Sequence, residues 1–292
     1  MTLAAVERAG LPSSRDVVAL LKLRIDALVV AVCLAAAVAA GTTSPQTLVV
    51  LAAACLIASA GASALNHYID RDIDARMART RKRPLPSGRL ADPRVALWLG
   101  LGLVGLSVAL AWPALGGLPA LYLLAGALTY AVVYSWWLKP RTPYSIVLGG
   151  AAGSFAALAG WQTGQTTAAA APLLLALVLF LWTPSHFWSL AIVLERDYRA
   201  AGLPMLSAVK GAQATAHAVV ANTLVLVAAS FALAVFLPWP YAALAIPAGI
   251  AFVSVTVALA RRPDTSRAWR AFKLSGLYLL IVLIGLALTV IV

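Results

Sequence analysis

Asn66, Asp70 and Asp74 recur at every fourth residue between the end of an apolar run and the basic stretch Arg76-Met77-Ala78-Arg79-Thr80-Arg81-Lys82-Arg83-Pro84. On a helix that period places all three on one face, with successive carboxylates roughly 6 Å apart. Two carboxylates and an amide oxygen so spaced suit a hard divalent cation, which prefers oxygen ligands and often shares them with a phosphate. The arginines that follow supply charge for a diphosphate leaving group. Arg79 and Arg83, four apart, face the same site if the helix continues to Pro84, with Arg76 as a further diphosphate contact. Arg81 and Lys82 read as surface. Asp72 falls about 200° round from Asp70 and reads as solvated, whereas His67 lies beside the carboxylates as a supporting neighbour. At the edge of a membrane span the group reads as a metal-diphosphate clamp serving a lipid.

Two further segments bear on chemistry. In Glu195-Arg196-Asp197-Tyr198-Arg199-Ala200-Ala201-Gly202-Leu203-Pro204, Asp197, with Glu195 near it, has the oxygens for a second metal opposite the first clamp. The plainer alternative is a helix end, with Gly202 as its stop and Pro204 beyond. In Trp182-Thr183-Pro184-Ser185-His186-Phe187-Trp188, Pro184 kinks a span and sets an imidazole among aromatics. His186 there is either an interhelical hydrogen-bonding residue or a substrate contact. His217 has no support beyond its type. Gly149, Gly153 and Ala157 share a four-residue period that favours close helix packing.

These residues need elements to hold them, and the composition says which kind. The chain has 292 residues, 62% hydrophobic and 11% charged, with mean hydropathy +0.92. That excludes an ordinary soluble domain. An all-α polytopic membrane protein is expected, a single domain over 1–292 with a short cytoplasmic segment 1–18 and about nine helices bundled round a central cavity. The spans expected are 19–41, 47–67, 92–112, 119–137, 144–162, 171–193, 214–236, 239–260 and 271–291. No cleavable signal peptide is evident. The net charge of +12 does not imply a nucleic-acid partner, because all 22 Lys and Arg fall in alternate segments. The connections 42–46, 113–118, 163–170 and 237–240 have none. By the positive-inside rule the N-terminus and the charged loops are cytoplasmic and Val292 is on the far side. The ten Asp and Glu share the cytoplasmic half, so the chemistry is expected at one face. Cys33 and Cys55, both within spans, read as small core residues.

Asn66-xxx-Asp70-xxx-Asp74 followed by Arg79-Thr80-xx-Arg83-Pro84-Leu85-Pro86-Ser87-Gly88 resembles the intramembrane aromatic prenyltransferase (UbiA-type) superfamily. Within it, the run Ala64 to Thr80, the Trp182 to Trp188 block and Asp197-Tyr198-xx-Ala201-Gly202-x-Pro204-Met205-Leu206 are similar to the protoheme IX farnesyltransferases, the heme O synthase branch. The likeness runs from about Leu20 to Gly211. It implies a nine-helix bundle, Mg²⁺, farnesyl diphosphate and heme B. It also implies that Asn66, Asp70 and Asp74 hold the metal-diphosphate, that Asp197 belongs to a second metal site, and that Arg79 and Arg83 are the family's basic positions. His186, with Trp182 and Trp188, is the heme contact it suggests. The chain departs from the pattern at Leu23, Ser185 and Ser207, where prolines are usual, and at Ala156-Ala157, where a Pro pair is frequent.

The activity so implied is transfer of a farnesyl group to the 2-vinyl of heme B with addition of water, giving heme O. A downstream heme A synthase or terminal oxidase is the implied partner, and the cell membrane the implied location. Two alternatives stay open: a prenyltransferase acting on a quinone-precursor ring or another tetrapyrrole, and a non-enzymatic heme carrier or oxidase assembly factor. The second does not account for the Asn-Asp-Asp face.

Overall fold

The computed structural model describes residues 13–164 and 170–291, all helix and connecting turns. Residues 1–12 of the N-terminal segment, most of the 163–170 connection and Val292 lie outside the described residues. A short helix α1 (Ser14–Leu20) precedes α2 (Leu23–Ala39), α3 (Pro45–Asp74), α4 (Arg94–Leu115) and α5 (Gly117–Leu138). The last ten residues of α5 are wound as a π-helix. There follow α6 (Ser145–Gly149), α7 (Ala151–Trp161), α8 (Ala170–Val193), α9 (Glu195–Ala200), α10 (Leu206–Ala234), α11 (Trp239–Arg261) and α12 (Thr265–Leu288).

Seven of these helices are long and apolar enough to cross a membrane. The expected spans 19–41 and 144–162 correspond to shorter helices, α2 with 17 residues and the α6–α7 pair. Among the described residues length and composition mark seven crossings, and these two shorter apolar segments stand at the lower limit of a span. The long helices pack in chain order, α2 on α3, α3 on α4, α4 on α5, α5 on α7, and so through α8, α10 and α11 to α12. Finally α12 returns to α2, which closes the bundle. Short connections between antiparallel neighbours give this order.

Small residues set how close the helices come. A Cβ on Gly160 of α7 would lie 1.9 Å from the Cys33 carbonyl oxygen of α2. Cys33 and Cys55 are buried free thiols in the same apolar cluster, as expected of core residues. Gly149 abuts Tyr134, whereas Gly153 has open space before it. The stripe thus divides between packing and a void. Where prolines were expected, Ser185 shares a 2.8 Å hydrogen bond with Thr223 and Ser207 donates to the Ala191 carbonyl at 2.7 Å. Each serine adds a bond between helices. Leu23 is the first residue of α2, a position where Pro is well tolerated.

The segment between α3 and α4 is held by its ends. Arg89 pairs with Asp16 of α1 at 2.8 Å, and its guanidinium keeps the Asp16 carboxyl below the usual range. Leu90 packs with Leu20, Ala64 and Ala96. Gly160→Val should force α2 and α7 apart, costing about 1–3 kcal/mol. It is expected to lower the melting temperature in detergent, while Gly153→Ala leaves it unchanged.

Candidate active site

α3 does not stop where its hydropathy falls. It runs seven residues past the expected end of the span at 67, to Asp74, and carries Asn66, Asp70 and Asp74 down one buried face. Asp72, on the other side, is exposed and 3.6 Å from Arg71. Three carboxylate and amide groups at 3% exposure or less need partners, because an unpaired buried charge is costly. The partners come from other elements. Lys139, just past the end of α5, reaches Asp70 Oδ2 at 2.5 Å, and Arg83 reaches Asp74 Oδ2 at 2.5 Å. Lys22, at the turn between α1 and α2, donates to Asn66 Oδ1 and, at 3.3 Å, to the Tyr130 hydroxyl. Asn66 Nδ2 donates to Asp70 Oδ2 at 2.7 Å and to Ser135 Oγ at 2.8 Å. Lys22 is the one non-glycine residue among those described with positive φ, 49°. Left-handed backbone at a bulky residue is strained, and such strain concentrates at functional sites.

The helix does not continue to Pro84. It ends at Asp74, and 75–91 follows as turns, so Arg79 and Arg83 are not on one helical face as expected. The turn brings Arg83 back instead, helped by Thr80 Oγ1, which donates to the Asp74 carbonyl at 2.9 Å. Arg76 and Arg79 are exposed, as are Arg81 and Lys82. Arg79 lies within electrostatic range of Tyr134 and Tyr198. His67 is buried beside the clamp, but its Nδ1 has no partner.

The second polar segment comes to the same end of the bundle. Met77 beyond α3 packs with Ala201, Leu203 and Met205, between α9 and α10, and Tyr134 and Tyr198 join that cluster. Asp197 is half-buried on α9 and acts on Tyr198, as Arg79 does. Glu195 is tied to Arg199 at 2.8 Å within its own helix. Among the described residues no three His, Cys, Asp or Glu gather to hold a metal by themselves. One atom invites a cation nonetheless: Asp70 Oδ1 is buried and has no partner.

Below the clamp is a cavity of about 110 Å³ between α2, α3, α5 and α7. Ile25, Ser63, Tyr130 and Gly153 are among its walls. Of those helices α3 carries both lining and clamp residues, while Lys22 and Lys139 sit just beyond the charged ends of α2 and α5. The cavity is lined mainly by apolar side chains.

His186 lies elsewhere, between α8 and α12. Trp182 and Phe272 flank its ring at centroid distances of 4.5 and 4.2 Å, and Phe187 meets it edge-on at 5.0 Å. Ser275 Oγ donates to the Phe272 carbonyl at 2.6 Å, so it accepts from His186 Nδ1–H at 2.7 Å. That fixes the tautomer and leaves Nε2 with its lone pair unengaged. Trp188 belongs to a different cluster, with Ile192, Leu206 and Val219.

Lys22, Asp26, Tyr130, Ser135 and Lys139 escaped the sequence reading. Lys22 and Asp26 at a four-residue interval opening a span were the available signal. Lys139 was counted only as a topological charge.

The UbiA prenyltransferase family matches residues 27–284. The chain is 42% identical over 281 residues to protoheme IX farnesyltransferase 1 of Paramagnetospirillum magneticum, covering 93% of this chain and 96% of that one. It is 41% identical over 239 residues to protoheme IX farnesyltransferase 1 of Cenarchaeum symbiosum, covering 82% and 80%. Its fold is similar to that of a digeranylgeranylglyceryl phosphate synthase, TM-score 0.79 at 16% identity over 95% of this chain and 98% of that one. It is likewise similar to a UbiA homolog from Archaeoglobus fulgidus bound to GPP and Mg²⁺, TM-score 0.68 at 19% identity, covering 93% and 99%.

Lys139→Met should leave Asp70 short of its counter-charge and destabilise the protein by about 3–5 kcal/mol. Arg76→Ala, at an exposed position, should stay within about 0.5 kcal/mol. Thermal unfolding of both variants in detergent checks the contrast.

Proposed function

The chain belongs to the UbiA prenyltransferase family, and we propose that it transfers a farnesyl group from farnesyl diphosphate to the 2-vinyl group of heme B, with addition of water, to make heme O. The observation that carries this reading is the stacking of a buried carboxylate clamp directly on an apolar cavity. Relatives more than 40% identical over most of the chain, all protoheme IX farnesyltransferases, support the choice of substrates.

Asp70 and Asp74, with Asn66, are the residues that would hold Mg²⁺, and Asp197 the one that would serve a second ion from the facing segment. The unpartnered Asp70 Oδ1 fits that role, and so does the Mg²⁺ bound with GPP in the Archaeoglobus homolog. Charge balance points the same way. Lys139 and Arg83 are already paired with Asp70 and Asp74, and Lys22 is bonded to the neutral Asn66 and Tyr130. A diphosphate entering without metal would leave its charge uncompensated. When bound, Mg²⁺ supplies Lewis-acid stabilisation of the leaving diphosphate.

The protein's own groups do the rest. Lys139 and Arg83 move from the carboxylates, and Lys22 from Asn66, to phosphate oxygens, and Arg79 and Arg76 complete the basic rim. Their charge stabilises the diphosphate as the allylic C–O bond breaks. The Tyr130 ring at the cavity wall faces the allylic cation as a π-donor, and the apolar walls keep bulk water from it. The vinyl terminal carbon then bonds to the farnesyl C1. We assign the free Nε2 of His186 to the heme iron, with Trp182 and Phe272 holding the imidazole in place. Trp188 serves packing in this reading.

As a multi-pass membrane protein its basic end is proposed to face the cytoplasm across the plasma membrane, with the C-terminus opposite. The product would pass to a heme A synthase or a terminal oxidase.

Asp70→Asn and Asp74→Asn are each expected to lower heme O formation by about a hundredfold or more. Mass spectrometry of reactions with heme B, farnesyl diphosphate and Mg²⁺ tests this; near-normal turnover in folded variants would refute it. His186→Ala should abolish the axial-histidine absorption spectrum of bound heme, and added imidazole should restore it. An unchanged spectrum would remove the iron assignment while leaving the reaction intact.

A further inference from the structure

Asp26 has no part in the clamp, yet it is wholly buried in α2. Its Oδ1 accepts a hydrogen bond from Ser59 Oγ at 2.6 Å and another from Ser63 Oγ at 3.3 Å. Its Oδ2 is buried and has no partner. A hydroxyl donor at 2.6 Å is in the range of a charge-assisted bond to a carboxylate. Ser59 and Ser63 both line the cavity, as do Ile25 and Val29 on either side of Asp26 in sequence. Two other hydroxyl residues, Tyr122 and Tyr130, share that wall, but only the serines are bonded to an acid. Ser59 and Ser63 also extend the polar stripe of Asn66, Asp70 and Asp74 deeper into α3 at helical spacing. Asp26 stands one turn deeper on α2 than Lys22.

Diphosphate departure uses none of these groups, and packing α2 on α3 would be served at less cost by apolar side chains. The reaction has a second requirement. One water must be held inside a cavity that otherwise excludes water, and it must lose a proton when it adds.

We propose that Ser59, Ser63 and Asp26 hold that water and that Asp26 takes its proton through Ser59. The inference rests on the heme O reading above. The vinyl terminal carbon forms its bond to farnesyl C1 as the C–O bond to diphosphate breaks, which leaves a cation on the carbon next to the porphyrin. The water oxygen bonds to that carbon. One of its protons passes to Ser59 Oγ while the Ser59 proton passes to Asp26 Oδ1. Asp26 then stands as the neutral acid and releases its proton to solvent when the products leave. The sum is heme B, farnesyl diphosphate and water giving hydroxyethylfarnesyl heme, diphosphate and one proton. Without the water site, the cation loses a proton from the adjacent methylene and yields an alkene lighter than heme O by one water.

The test compares wild type with Asp26→Asn, Asp26→Glu and Ser59→Ala, each in detergent with heme B, farnesyl diphosphate and Mg²⁺. Hydroxylated and alkene products are resolved by mass spectrometry, and diphosphate release is followed in parallel. Asp26→Asn and Ser59→Ala should keep releasing diphosphate while the ratio of hydroxylated product to alkene falls about a hundredfold. Asp26→Glu should recover part of that ratio. Ser59→Ala breaks the relay without altering a buried charge, so it decides the matter if Asp26→Asn fails to fold. An unchanged product ratio in Ser59→Ala, or equal loss of both products and of diphosphate release, would overturn the proposal. A wild-type protein that makes no farnesylated heme would remove the underlying reading, and this inference with it.

Discussion

The need to neutralise Asp70 and Asp74 at the buried end of α3 governs much of this structure. Carboxylates so placed persist only with counter-charges brought to them. Lys139 comes from the end of α5, Arg83 from the turn beyond α3, and Lys22 from the strained turn before α2. Three otherwise independent elements converge on one helix face for this reason. The result is a site whose cations are already in place, Lys139 and Arg83 engaged with the protein's own acids and Lys22 with Asn66 and Tyr130. If Asp70 and Asp74 held a metal ion, Lys139 and Arg83 would be left free to meet a diphosphate.

The cavity gives that electrostatic arrangement its purpose. Since α3 passes from clamp to cavity wall, and Lys22 and Lys139 flank the ends of α2 and α5, the same helices hold both parts. Small residues make the space. Gly153 and Ala156 leave room where larger side chains would fill it, while Gly160 brings α7 hard against α2. The polar stripe on α3 does not stop at the clamp. It continues through Ser63 and Ser59 toward Asp26, a path for one proton in an otherwise apolar wall.

Much of this was legible in the sequence, because local patterns carried it. The sixth and eighth expected spans, 171–193 and 239–260, differ from α8 and α11 by one residue at one end each. Spans with charged ends were read too short. The span expected to end at 67 stops short of Asp74, because Asp70, Arg71, Asp72 and Asp74 lower hydropathy without ending the helix that was expected to carry them. The start of α12 was missed likewise, with Arg267, Arg270 and Lys273 in its first turns. Spacing and its context put Asn66, Asp70 and Asp74 on one helix face, and the structure buries that face. Their partners were not found in the sequence, since Lys139 to Asp70 and Lys22 to Asn66 join residues far apart in the chain. Arg83 was identified for the wrong geometric reason, a continued helix in place of a turn. At the proline positions filled by Ser185 and Ser207, each serine ties two elements together.

The central claim is that the clamp carboxylates seat metal while the cavity beneath them receives the prenyl chain. A structure of the protein with Mn²⁺ and a non-hydrolysable thio-analogue of farnesyl diphosphate, using anomalous scattering to place the metal, tests it most directly. The account predicts metal on Asp70 Oδ1 and Asp74, Lys139 and Lys22 turned to the phosphate oxygens, and the chain lying between α2, α3, α5 and α7. Metal bound away from Asp70, or a prenyl chain lying outside that cavity, would contradict it.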